Sequence, residues 1–322
     1  MIMPPRLKFA ALPTPVEEIP HLSQTLHGPR ILVKRDDLTG LGLGGNKTRK
    51  LEFLLAEALA NGARTLITTG AVQSNHCRQT AAAAARFGLD CILVLAGDQP
   101  AIFSGNLLLD HLFGAEIIWT SRLQREQTLH SAFDQAWAQG RRPYLVPYGG
   151  SSPTGAAAYA LAIQELVEQT TAVDWLVFAS SSGGTQAGLV VGARIFNFSA
   201  RILGISVDEQ QHSLQARVAE IATATADFLA EPQQFSPGDI LVNADYLGAG
   251  YGILGEPEIE AIRLFARHAG LLLDPVYTGR AAAGLIDLIR KGFFHPDETI
   301  LFLHTGGAPA LFADKYQSLA AV

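Results

Sequence analysis

The sequence predicts an α/β protein of two domains, each a mainly parallel twisted sheet flanked by helices. Three observations carry this. Short, continuously apolar runs alternate with longer helical patterns, as strands do when helices cover both faces of their sheet. The chain has 322 residues, enough for two domains of ordinary size. Hydrophobic residues make up 48% against 17% charged, so a large core can be buried and disorder is not expected.

In chain order, residues 65–69 (TLITT) read as a buried strand and 75–87 as an Ala-rich helix. Residues 91–95 (CILVL), 116–119 (EIIW) and 144–146 (YLV) are three further strands. A second series follows at 175–179 (WLVFA), 202–207 (ILGISV) and 300–304 (ILFLH), again interleaved with helices. The expected division is a small domain at 51–158, inserted between the segments 1–50 and 159–322 that form the large one. No low-complexity linker or repeat interrupts the pattern.

Bulk charge narrows the partners. The formal charge of −6 is spread without long basic runs, which argues against a nucleic-acid groove or an anionic membrane surface. Cys77 and Cys91 belong to no C-x-x-C pair or Cys/His cluster, so neither a disulfide framework nor a metal site is expected. The N-terminal segment carries prolines and charges where a signal peptide needs an apolar core. No run approaches the roughly 20 apolar residues of a membrane span. The expected compartment is the cytoplasm.

Three loops carry chemistry. In the first, GLGGNKTRK (42–50), Asn46 is a candidate N-cap that places Lys47 on the first helical turn, with Asn61–Gly62 as the stop signal. A cation there opposes the helix dipole, and that field with desolvation would favour a neutral, nucleophilic amine. From this loop alone, a solvated lysine ahead of an amphipathic helix explains the pattern as well. In the second, GAVQSNHCRQ (70–79), Gln73, Ser74, Asn75 and His76 surround a helix start at a strand's carboxyl end. Capping by Ser74 or Asn75 would suffice, but the junction also suits a ligand carboxylate. His76 is a candidate proton carrier, although a hydrogen-bonded histidine is the commoner fate. The third, SSSGGT (180–185), adjoins three hydroxyls to two glycines between a strand and a helix. It is neither a Walker A loop nor G-x-G-x-x-G, so a monophosphate ester fits better than a nucleotide.

Taken with KRDDLTGLGLGGNKTRKLEFL, TTGAVQSNHCRQTAAAAA, LLLDPVYTGRAAAGLIDL and FLHTGGAPALFA, these loops closely resemble the D-cysteine desulfhydrase and 1-aminocyclopropane-1-carboxylate (ACC) deaminase family. The similarity runs nearly end to end. It implies the pyridoxal-phosphate fold type II of tryptophan synthase β, with the cofactor in the large domain. It also implies that Lys47 bonds the cofactor covalently and that Asn75 holds its phenolic oxygen. Ser74 is similar to the serine that contacts substrate, and the Asn75–His76 helix start faces the same molecule. Ser182, Gly183, Gly184 and Thr185 match the phosphate turn, which Lys50 is implied to assist. Tyr251 and Tyr277 resemble the two tyrosines bordering the substrate; as bare sequence each is more often a packing residue.

Two positions discriminate within the family: ACC deaminases resemble VYEG and HLGG, whereas this chain has VYTG and HTGG, with Thr278 and Thr305. A carboxylate near the pyridine nitrogen would hold it protonated; a hydroxyl leaves it essentially neutral, which suits β-elimination. The segment AGDQPAIFSGN is compact, and GGSSP stands where relatives show GGSN. The resemblance thus implies desulfhydration of D-cysteine or a related small β-substituted amino acid. L-cysteate sulfo-lyase and ACC deaminase activities, or a non-catalytic metabolite-binding module, stay open at this point. A homodimer is the family's expectation.

Overall fold

The computed structural model describes residues 1–170 and 173–320. Among these, ten strands form two sheets. The larger runs, in spatial order, β1 (Val16–Glu18), β2 (Arg30–Lys34), β10 (Thr299–Leu303), β7 (Trp175–Ser180), β8 (Arg201–Ser206) and β9 (Leu241–Asn243). The smaller runs β5 (Glu116–Thr120), β4 (Asp90–Ala96), β3 (Thr65–Ala71) and β6 (Pro143–Leu145). Every pairing is parallel except β1 with β2, an antiparallel pair at one edge. The fold class is therefore as the apolar runs indicate. The seven expected strands are present to within a residue or two, whereas β1, β2 and β9 have no counterpart in the sequence reading.

The side chains of each sheet alternate between two apolar layers. Along β10, Ile300 and Phe302 enter one core with Phe265 of α9 (Glu256–Ala269) and Leu285 of α10 (Thr278–Arg290). Leu301 and Leu303 enter the other, with Tyr159 of α6 (Pro153–Gln169), Val191 of α7 (Gly184–Ile195) and Val218 of α8 (Gln211–Phe228). In the smaller sheet, Leu66, Leu93 and Leu95 face α2 (Lys47–Ala60) and α3 (Asn75–Phe87). Ile67, Ile92 and Val94 face Leu129 and Ala132 of α5 (Arg125–Ala138). Burying such a side chain contributes about 1.5–3 kcal/mol. Two covered faces therefore leave no place for polar alternation, which is why these strands read as unbroken apolar runs. The remaining helices are α1 (Pro20–Thr25) and α4 (Gly105–Leu112). Among the described residues no helix is long and apolar enough to cross a membrane.

Three carboxyl strand ends come together around one cavity. β3 and β7 each run through a short polar loop into a helix start, at α3 and α7, and β10 runs into His304–Thr305–Gly306–Gly307. Carboxyl ends of parallel strands are where α/β proteins collect ligands.

Candidate active site

Lys47 is the first residue of α2 and is half-buried. The turn before it needs glycines: Gly44 and Gly45 have φ of +68° and +124°. A Cβ at Gly44 would sit 1.8 Å from the Asp37 carbonyl oxygen, and one at Gly45 would sit 2.2 Å from Gln79 Nε2. Two residues on, Arg49 anchors the helix. Its guanidinium donates to both oxygens of Asp36 at 2.8 Å and to both of Glu165 at 2.9 Å. Tyr159 Oη donates to Asp36 Oδ2 at 2.6 Å, and Lys34 Nζ donates to Glu165 Oε1 at 2.5 Å. With the guanidinium forked onto two carboxylates, the first turn of α2 has little freedom.

Asn46 does not cap α2, contrary to the sequence expectation. Its backbone is already helical (φ −58°, ψ −24°), and its side chain instead accepts from Lys47 Nζ at 3.1 Å and donates to Thr185 Oγ1 at 3.2 Å. The stop is as expected, with Asn61 as C-cap and Gly62 at φ +71°. Desolvation lowers the Lys47 amine to about 8, with Arg78 pushing the same way and the Asp274 carboxylate opposing. Lys50 is fully buried, and its ammonium finds one acceptor, the Gly149 carbonyl at 3.1 Å. Burial first and Lys47 second push Lys50 well down.

The amine of Lys47 opens on a cavity walled by Ser74, Asn75, His76, Tyr148, Ser180, Ser182, Thr185, Tyr277 and Thr305, with Gly183 at its rim. Ser74 is the N-cap of α3 and accepts from Cys77 N at 3.2 Å. His76 is turned under the loop. Its Nε2 lies 2.8 Å from Thr68 Oγ1, whose own proton goes to the Val146 carbonyl, so Nε2 is the donor. Burial holds this imidazole well down, and it is neutral near pH 7. Gly183, at φ +88°, begins α7 without any side-chain cap. The first N–H groups of a helix lack intrahelical partners. Ser182 Oγ is 2.8 Å from Ser151 Oγ, which also accepts from Gly184 N at 3.1 Å.

Two expected residues stand apart from the cavity wall. Thr278 is buried and engaged with Asp274: Oγ1 donates to Oδ1 at 2.8 Å and accepts from Asp274 N at 2.7 Å. Tyr251 faces a neighbouring 430 Å³ cavity lined by Val72, Gln73, Ile102 and Arg122. Its hydroxyl meets that of Tyr277 at 2.5 Å, so the pair forms the partition between the two spaces. Gly184 and Lys50 lie just behind the wall. Sequence reasoning missed Tyr148, which lines the cavity under Arg125, 4.7 Å from its ring centre. It also passed over Asp274, whose carboxylate accepts from Val276, Tyr277 and Thr278 N–H groups and so builds the turn presenting Tyr277. The aspartate stands inside the quoted DPVYTG run; an acidic residue three or four positions before a helix start was the available signal.

Pyridoxal phosphate fits this residue set. Lys50 is a buried amine whose one partner is a neutral carbonyl, and Ser180 Oγ is buried with no partner among the described residues. Ser180 leads into a helix start whose N-cap is a glycine, which suits an anionic ester. The Lys47 amine, lowered to about 8, lines the same cavity.

The comparisons agree with the geometry. A family described as pyridoxal-phosphate dependent enzyme matches residues 7–306. The chain is 45% identical to a D-cysteine desulfhydrase of Salmonella typhimurium over 318 residues, 96% of each chain. It superposes on an ACC deaminase homologue with a TM-score of 0.89 at 38% identity, covering 98% of this chain and 96% of that one. A threonine deaminase from T.th. shares the fold at a TM-score of 0.63 and 21% identity, over 91% and 92% of the two chains. With a lysine, a phosphate-type turn and a matching family over nearly its whole length, this chain belongs to the pyridoxal-phosphate-dependent enzymes.

Proposed function

We propose that the enzyme is a lyase that eliminates the thiol of D-cysteine, yielding pyruvate, ammonia and hydrogen sulfide. The relationship to the Salmonella typhimurium D-cysteine desulfhydrase, 45% over 96% of both chains, supports the substrate. The observation that carries the chemistry is the Lys47 amine, lowered to about 8 and opening on the cavity between the α3 and α7 starts.

Bound pyridoxal phosphate supplies an electron sink for negative charge at the substrate's Cα. The residues do the rest. The α7 start, with Ser182, Gly183, Gly184 and Thr185, holds the phosphate, and Lys50 balances its charge from below. Asn75 holds the phenolic oxygen. Ser74 and the α3 N–H groups take the substrate carboxylate, with His76 fixing the loop from beneath through Thr68. Lys47 Nζ, facing the same cavity, would take the α-proton of the bound substrate. The Cβ–S bond then breaks with its electron pair on sulfur, and sulfur needs a proton. Burial raises Tyr251 and Tyr277 above the ordinary phenol range, so both keep their protons. In their mutual hydrogen bond one hydroxyl donates and the other remains free to donate to the leaving sulfur. The released enamine takes up water to give pyruvate and ammonia.

Thr305, on the cavity wall, is the hydroxyl we assign to the pyridine nitrogen, with Thr278 supporting the substrate side through the Asp274 turn. A hydroxyl does not hold that nitrogen protonated, which suits loss of a thiol and disfavours opening an unactivated ring. We further infer a homodimer in the cytoplasm. The family resemblance supports the dimer, and free, buried Cys77 and Cys91 suit a reducing compartment. Light scattering should find twice 34.4 kDa. The decisive assay is pyruvate release from D-cysteine, L-cysteine, D-chloroalanine and L-cysteate, with 2-oxobutanoate from ACC. D-cysteine should lead; no pyruvate from it, or faster turnover of L-cysteate or ACC, refutes the reading.

A further inference from the structure

Behind the helix start that presents Asn75, four polar atoms are buried without a hydrogen-bond partner among the described residues. They are Arg78 Nε, Asn106 Oδ1 and both carboxyl oxygens of Asp110. All three side chains are 0% exposed. Asn106 and Asp110 lie one turn apart on the same face of α4. That helix packs on α3, which carries Arg78, and across the contact Arg78 and Asp110 feel each other's charge.

The four atoms can be matched only in one protonation state. With Asp110 ionised, a single donor, Arg78 Nε–H, faces three acceptor oxygens. With Asp110 neutral there are two donors and two acceptors. Nε–H then serves one carboxyl oxygen, and the acid O–H serves Asn106 Oδ1. An unmatched buried polar atom is destabilising, so small side-chain shifts that close the set are favoured.

The rest of Asn106 is already committed. Its Nδ2 donates to the Gln73 carbonyl and to Asn75 Oδ1, both at 2.9 Å, and its backbone N–H donates to Gln73 Oε1 at 2.8 Å. Turning its amide over would set an oxygen against two oxygens. We propose that Asp110 is a positioning residue: as a neutral acid it donates to Asn106 Oδ1 and, through Asn106, fixes the amide of Asn75. With Asn75 Oδ1 occupied, its Nδ2 remains the donor toward the cavity. Resting on the function proposed above, this is the group that the cofactor's phenolic oxygen requires.

Electrostatics agree with the count. Burial raises Asp110 to about 8, with the Arg78 guanidinium pulling the other way. The other titratable groups facing it are Cys77 of α3 and Cys91 of β4, both pushed up by burial and therefore neutral. Arg78 itself is held by the Gly42 and Gly44 carbonyls and feels Asp274 beyond.

The test begins with difference infrared spectroscopy of wild type against Asp110→Asn, on protein with and without cofactor. A protonated-carboxyl C=O band should be present at pH 7, absent in the variant, and lost as the pH passes about 8. Cofactor affinity is then compared. Asp110→Asn, which keeps a donor and an acceptor, should stay within about twofold of wild type, while Asp110→Ala should weaken binding about tenfold, the value of one hydrogen bond. The absorbance of bound cofactor should shift in the alanine variant and be restored in the asparagine variant. Absence of the band at pH 7 overturns the inference, even if Asp110→Ala does not fold. So does Asp110→Asn losing as much affinity as Asp110→Ala, or neither losing any. The band needs no cofactor, so a protein that shows it but takes up no pyridoxal phosphate refutes the function proposed above instead.

Discussion

Attachment of the cofactor should depend on pH in a way that an ordinary lysine cannot reproduce. Only the neutral amine attacks an aldehyde, and the structure lowers Lys47 from 10.5 to about 8. At pH 7 that leaves about 9% of the amine neutral, against about 0.03% for an unperturbed lysine, a gain of about 300-fold. The experiment mixes apoprotein with pyridoxal phosphate from pH 6 to 10 and follows the rate of covalent attachment by absorbance. The rate should rise tenfold per pH unit and level off near 8. Asp274→Asn should move the inflection lower, because that carboxylate raises Lys47 and the variant removes its charge. The linkage has a definite sign. A folded-state value below the unfolded one means that the unfolded chain binds more protons between pH 8 and 10.5. Apoprotein stability should therefore rise with pH across that window, the desolvation penalty being fully present below it. An inflection near 10, or peptide mapping after borohydride that finds the label on Lys50 or Lys34, refutes the reasoning.

Breaking the anchor beneath Lys47 should be costly: Arg49→Leu leaves Asp36 buried and should lower unfolding free energy by about 3–5 kcal/mol in urea titration, and a loss under about 1 kcal/mol refutes the anchor. Gly183→Val should abolish cofactor retention on gel filtration, since φ is +88° and the added Cβ lies 3.3 Å from Val218 Cγ2; Thr185→Ala should weaken retention only modestly. The two threonines should separate: Thr278→Val loses the two hydroxyl bonds to Asp274 and about 1–3 kcal/mol of stability in thermal melts. Thr305→Val should leave the melting temperature nearly unchanged and alter turnover and cofactor absorbance. Changing both, Thr278→Glu with Thr305→Leu, should lower pyruvate from D-cysteine and raise any 2-oxobutanoate from ACC, and parallel loss of both products would refute the specificity argument.

How much the sequence reveals depends on how each contact is encoded. The central strands β3, β4, β7, β8 and β10 are apolar on both faces and stand out as runs. In contrast, β1 and β9 have three residues each and lie at sheet edges, where one neighbour suffices and no run is needed. The strand β2 is a five-residue RILVK that passes for loop when read without its partner β10, nearly 270 positions on. The polar loops of the site were legible because their function is local: a helix start needs its hydroxyls and glycines in adjacent positions. Side chains that act across the fold carried no such mark. Asn46 reads as a cap but reaches Thr185, and nothing in the letters around Arg49 marks its pairing with Asp36 and Glu165.

The same reasoning separates Thr278 from Thr305, which are indistinguishable as letters in VYTG and HTGG. Thr305 follows β10 with two glycines behind it, Gly306 at φ +87° and Gly307 at φ +102°. A Cβ on Gly306 would strike Gly45 Cα at 2.6 Å, and one on Gly307 would strike Asn75 Nδ2 at 2.7 Å. The backbone there is pressed against the Lys47 loop and the α3 start, and so a small hydroxyl is delivered to the cavity. Thr278 begins α10 four residues after Asp274, where a hydroxyl bonds the turn rather than a ligand. An exchange of Thr278 for a larger acid would therefore first have to rebuild that turn. On the function proposed above, the two positions should therefore act by different routes: Thr305 from the cavity wall, and Thr278 through the Asp274 turn that presents Tyr277.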